Sequence, residues 1–176
     1  IGSARVGWML RSKLAPGTRA ALEHGGAAPV IVDSDADFQD AVPRLVKGGF
    51  YHAGQVCVSV QRVFAQTDIA RSLAEQIAQQ AADLVVGDPT NPDTEVGPLI
   101  RPGEVLRVSE WVQEAIDGGA ECLAGGASNS ETCYQPTVLY NVPRDSKVST
   151  NEIFGPVVCV LPYNDLEEAI DQANAL

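Results

Sequence analysis

The chain has 176 residues, 45% of them hydrophobic and 20% charged, a composition that fits a folded globular protein with length for one real core. Its net charge of −11, from 12 basic and 23 acidic residues, excludes a general nucleic-acid backbone binder but not a small anionic cofactor held by backbone amides at a helix start. No apolar run approaches the ~18 residues of a membrane span, and Cys57, Cys122, Cys133 and Cys159 form no C-x-x-C pair, so no metal site and no disulfide framework are expected, only reduced thiols of a cytoplasmic protein.

Residues 4–14 read as a helix broken by Pro16-Gly17, followed by a short run at 19–23 and the turn His24-Gly25-Gly26. Residues 29–32, Pro-Val-Ile-Val, read as a fully buried strand. A polar cap at Asp33–Asp37 opens a second helix in which Pro43 sits near the start or makes a kink. A strand is expected over 58–66. A strongly periodic helix follows over 68–86, with Ile69, Leu73, Ile77 and Ala81 on one face. Residues 87–100 form a proline-rich loop, 103–117 an amphipathic helix, and Ala120–Gly126 a short strand and turn. Residues 133–142 read as a strand in which Pro136 marks an edge or an extended lead-in. A strand over 155–163 and a helix from Asp165 complete the pattern.

Strands alternating with helices predict an α/β fold: a parallel-type, doubly wound sheet flanked by helices. Such sheets bind ligands outside the carboxyl ends of their strands, and the loops carrying Glu23 and Cys57 are placed there. Cys57 follows the polar glycine loop His52-Ala53-Gly54-Gln55. One reading makes it a small core hydrophobe. The other makes it a nucleophile at the end of a loop whose backbone can approach a ligand. Glu23 could be a solvated loop residue, Gly25 and Gly26 a plain turn, and Phe154 a core side chain beside Glu152.

Eight pieces taken together resemble the aldehyde dehydrogenase superfamily, in that family's order: Gly2-Ser3 with Val6-Gly7; Leu22-Glu23 with Gly25-Gly26; Pro29–Val32; Gly54–Cys57; Gly87–Pro89; Gly97–Ile100; Pro136–Leu139; and Glu152–Val157. The resemblance covers essentially the whole chain. It implies a fragment truncated at both ends, with residues 1–23 closing a dinucleotide-binding domain and 24–176 forming an incomplete catalytic domain. It implies oxidation of a small aldehyde to a carboxylic acid with NAD or NADP. Cys57 would be the nucleophile, its backbone N–H one oxyanion donor, and Glu23 the base that activates water in a water-poor site. Ser3 would contact the pyrophosphate, Gly25 and Gly26 would let the backbone pass close to the nicotinamide, Glu152 would accept the ribose hydroxyls, and Phe154 would pack near the nicotinamide. Acylating relatives generally lack a glutamate at the position of Glu23, so its presence favours hydrolysis.

Two departures flank this site. His24 stands where the family usually has leucine, and His52 where it usually has asparagine. Each either tunes Cys57 or binds an anionic aldehyde, or else fills space with one hydrogen bond. The resemblance implies a homo-oligomer, dimer or tetramer, and no nucleic-acid or membrane partner. The competing functions are an acylating or semialdehyde-specialised relative and a non-catalytic scaffold with the same fold. The fragment by itself is expected to be inactive.

Overall fold

Helices begin where the sequence supplies caps. In the computed structural model, which describes residues 1–176, Ser3 caps α1 (Ala4–Arg11), its Oγ accepting the Val6 N–H at 3.5 Å. Asp37 caps α2 (Phe38–Phe50) by accepting from Gln39 N–H at 2.8 Å. Asp165 does the same for α6 (Leu166–Asn174), and Pro102 opens α4 (Pro102–Asp117) at a position where a missing N–H costs nothing. The long periodic segment gives α3 (Thr67–Ala82), whose Leu73, Ile77 and Ala81 are fully buried. Pro43 lies inside α2, neither at its start nor beyond its end, and its side of the helix is exposed. A short helix, α5 (Lys147–Thr150), is not signalled by any hydrophobic period.

Five strands form one sheet: β1 (Ala28–Val32), β2 (Val60–Gln66), β3 (Glu121–Ala124), β4 (Thr137–Tyr140) and β5 (Val157–Tyr163), in the order β1-β2-β5-β4-β3. The β1, β2, β5 and β4 neighbours run parallel, whereas β3 closes one edge antiparallel to β4. Pro136 is therefore an extended lead-in to an internal strand. Helices cover both faces. Val158 of β5 packs on Gly49 of α2, and α3 packs against α2 on that same side. Arg62 of β2, in register with Cys159 and hence on the opposite face, reaches α6.

One expectation is corrected at β1. Only Val32 of that strand is buried, because β1 is an edge strand and the 29–32 run is half covered. The core runs from Val32 to Ala169 and is centred on β5, where Val157 to Leu161 are all buried. No residue of α1 is buried. Arg62, 4% exposed, is a buried cation with no carboxylate partner. Its guanidinium donates to the carbonyls of Ala27, Gln172 and Ala173, the last two at the C-terminal end of α6, where backbone carbonyls carry partial negative charge. No helix is long and apolar enough to cross a membrane.

Candidate functional site

The three loops that carry the singled-out residues all lead into strands. Gly25-Gly26 precede β1, Gly54–Cys57 precede β2, and Glu152–Gly155 precede β5. These strands are parallel neighbours, so the loops gather at the amino ends of the sheet. The expectation that the site lies at the carboxyl ends is thus overturned. That rule describes ligands held by loops leaving the strands, and here the singled-out residues sit on loops entering them.

Close backbone approach joins the loops. A Cβ on Gly54 would stand 2.1 Å from the carbonyl oxygen of Gly155, so only glycine lets the Cys57 turn rest on the Glu152 loop. A Cβ on Gly26 would stand 3.1 Å from the Cys57 carbonyl oxygen, and one on Gly25 3.0 Å from Glu152 Oε2. Gly25 also has φ +68°. Gly26, Gly54, Val56, Glu152, Phe154 and Gly155 line a small, shallow cleft. Cys57 is exposed on the adjoining turn. The core-hydrophobe reading of this cysteine does not hold.

Backbone strain concentrates at the same place. His52, Ala53 and Gly54 have consecutive positive φ of 51°, 55° and 68°, and Phe154 has φ 44°. Left-handed backbone at non-glycine residues persists only where the surroundings over-determine it. Two glutamines, whose roles the sequence did not disclose, provide part of that determination. Gln55 Nε2 donates to the carbonyls of His52 and Pro98, each at 3.2 Å, while its Oε1 accepts the Ile100 N–H at 3.0 Å. This fastens the Gly97–Ile100 loop to the cysteine turn. Gln61, buried on β2, holds the segment before β5. Arg107 of α4 donates to the Ile153 carbonyl at 2.6 Å and is itself held by Glu104. The only sequence signal for Gln61 is an uncharged polar side chain inside an apolar strand.

Glu152 carries the site's perturbed titration. Burial pushes its carboxyl above the usual range, against the Gly26 amide and the charge of Arg107, which pull it down. Its Oε1 is buried with no hydrogen-bond partner within the chain. An acceptor with no donor, opposite a glycine with no side chain, fits a hydroxyl-bearing ligand such as the ribose of a dinucleotide.

The remaining residues are placed less tightly. Phe154 is 42% exposed at the cleft, so it is not a core side chain. Glu23 is exposed, and its backbone carbonyl accepts the Gly2 N–H at 3.0 Å. The water-poor surroundings expected for its carboxylate are absent within these 176 residues, because Glu23 and the loop from Ser12 to Ala21 leading to it are exposed. Ser3 is exposed at the start of α1 and does not line the cleft. His24 is half-buried, its ring 5.5 Å from that of Trp8, and His52 is exposed with its ring 5.1 Å from Tyr51. No group of His, Cys, Asp and Glu side chains is arranged to hold a metal.

Comparison with known proteins gives one consistent answer. The model of the aldehyde dehydrogenase family matches residues 1–176. The chain is 40% identical over 173 residues to the 3-sulfolactaldehyde dehydrogenase of Priestia aryabhattai, covering 98% of this chain and 36% of that protein. It is 40% identical over 174 residues to the NAD(+) benzaldehyde dehydrogenase of Pseudomonas putida, again covering 98% and 36%. Among solved structures, the glyceraldehyde-3-phosphate dehydrogenase of Methanocaldococcus jannaschii complexed with NADP superposes with a TM-score of 0.93 at 40% identity, over 99% of this chain and 37% of that one. The chain thus spans about a third of the length of the relatives it matches.

Proposed function

The chain belongs to the aldehyde dehydrogenase family, and from that premise we propose that the protein containing it oxidises a small aldehyde to its carboxylic acid with NAD or NADP. The observation that carries this reading is the meeting of the Cys57 turn, the Gly25-Gly26 loop and Glu152, whose Oε1 is buried without a partner, at one end of the sheet. The four cysteines are free thiols, in keeping with a cytoplasmic enzyme. Residues 1–23 close the dinucleotide-binding domain, a division supported by a core that takes nothing from them.

Cys57 adds through its thiolate to the aldehyde carbon, because sulfur is nucleophilic even at small fractional ionisation. The carbonyl oxygen becomes an oxyanion, and the Cys57 backbone N–H, on a turn fixed by Gln55, is one donor to it. The dinucleotide, when bound, supplies the hydride acceptor. Glu152 would hold it through the ribose hydroxyls, with Gly25 and Gly26 leaving the backbone open and Phe154 flanking the ring. Ser3, at the start of α1, would reach the pyrophosphate. A thioester then remains on Cys57. Glu23 takes a proton from water, which attacks the thioester carbon and releases the acid and the thiolate. That step needs Glu23 covered from bulk water, and the cover would come from outside residues 1–176.

The test uses the intact protein, with NAD or NADP and a panel of small aldehydes, without coenzyme A. Appearance of reduced nicotinamide that is lost in Cys57→Ala, and limited to one burst in Glu23→Gln, is the expected result. Turnover only after coenzyme A is added would replace hydrolysis by acyl transfer. Silence under both conditions would point to a scaffold.

A further inference from the structure

We propose that Gln61 is the positioning residue that sets Glu152 at a fixed place relative to Cys57, and so governs dinucleotide affinity. The inference rests on the cofactor role assigned to Glu152 above. Gln61 lies on β2, four positions after Cys57, and is 4% exposed. Its Nε2 donates to the carbonyls of Val148 at 2.8 Å and Asn151 at 2.7 Å, and its Oε1 accepts the Ile153 N–H at 3.0 Å. Both amide hydrogens and the carbonyl oxygen of one buried side chain are thus directed at α5 and at the segment after it that carries Glu152.

That segment needs such support. It runs between α5 and β5, outside any strand ladder, and includes the left-handed Phe154. Its backbone is fastened by side chains: Gln61 at Ile153 N–H, and Arg107 at the Ile153 carbonyl. Arg107 ties the segment to α4. Gln61 ties it to the strand that the nucleophile turn enters, and so links the two chemical groups through one rigid element. Glu152 itself has one oxygen, Oε1, buried without a partner, so the Gly26 amide and the charge of Arg107 hold its carboxylate only in part. Its position is inherited from the backbone that Gln61 holds.

The experiment is a double-mutant cycle in the intact protein, reading the Kd for reduced dinucleotide by fluorescence and the exchange rate of the Ile153 amide. Gln61→Leu keeps the volume and removes all three bonds. It is expected to weaken dinucleotide binding roughly tenfold, as a contact-coupled residue does. Adding Gln61→Leu to Glu152→Gln is expected to weaken it little further, because Gln61 acts through Glu152. Independent, multiplying losses in the double variant, or an unchanged Kd in Gln61→Leu, would overturn the proposal. Exchange separates this claim from the functional one. Even if the wild type bound no dinucleotide, faster exchange at Ile153 with unchanged β4 amides would support the positioning, and a uniform rise across both would refute it. Should Gln61→Leu not fold, Gln61→Asn, which keeps the amide one methylene short, is put through the same cycle with a smaller expected loss.

Discussion

At the residue scale, His52 is explained by its backbone. Its φ of 51° lies in the left-handed region, where asparagine and histidine are both enriched. The asparagine usual in the family and the histidine here meet the same conformational demand, and the exposed ring needs no chemical role. His52→Gly should therefore stabilise the chain by roughly 0.5–1 kcal/mol, and His52→Val should destabilise it by at least about 1 kcal/mol. Denaturant titration reads both, and a destabilising His52→Gly would reveal a side-chain contact of real worth. Glu152 presents a different tension. Its folded-state carboxyl titrates above the usual range because it is buried. As pH rises from about 4, the unfolded chain ionises this group first, so stability falls until the folded group ionises too. Glu152→Gln abolishes that fall. The variant should match the wild type near pH 4 and exceed it at pH 7 by no more than about 1 kcal/mol, since solvent screens a part-exposed group. The same substitution should weaken dinucleotide binding, a stability–function trade readable in paired titrations.

At the element scale, α2 delivers the chain to the cysteine turn, and its last turn is built for close approach. A Cβ on Gly49 would lie 2.4 Å from Val158 Cγ2 and 3.3 Å from the Val60 carbonyl oxygen. Gly49→Ala must push α2 off β5, and an overpacked core of this kind costs roughly 1–3 kcal/mol. Because Tyr51–Gln55 follow directly, the shift should also slow Cys57 alkylation, while Asp37→Ala, a cap loss of about 1 kcal/mol at the far end of the same helix, should leave alkylation unchanged. Equal effects on alkylation from both would show that it follows global stability, not the placement of the turn. The elements were largely legible in the sequence because period and caps are local: Ser3, Asp37 and Asp165 cap the helices they were expected to start. What escaped was non-local. The exposure of β1 depends on being an edge strand. α5 is one turn long and leaves no period. The end of the sheet that carries the site depends on which loops meet, and the close approaches of Gly25, Gly26 and Gly54 reveal that.

At the scale of the whole molecule, the family motifs brought together Cys57, Gly25 and Glu152 and contained Gln55, but disclosed neither its role nor that of Gln61, because those roles lie in partners 43 to 92 positions away. The molecule is unevenly finished. The core around β5 is closed, whereas α1 exposes Trp8, Met9 and Leu10, with Leu14 just beyond it. Large apolar side chains exposed together on one short helix favour association. The 176-residue chain should therefore self-associate as its concentration rises, and Trp8→Lys with Leu10→Lys should suppress this without lowering the unfolding midpoint, since neither side chain enters the core. The same chain should make no reduced nicotinamide from any aldehyde. Cys57 is exposed and can be alkylated, but Glu23 has no shelter from water, and Ser3, exposed at the start of α1, does not line the cleft that holds Glu152. The two properties should separate cleanly: stoichiometric alkylation of Cys57 with no turnover. Reduced nicotinamide beyond one equivalent per Cys57 with the purified chain alone would mean that self-association supplies the cover Glu23 lacks, and the lysine variants would then abolish it.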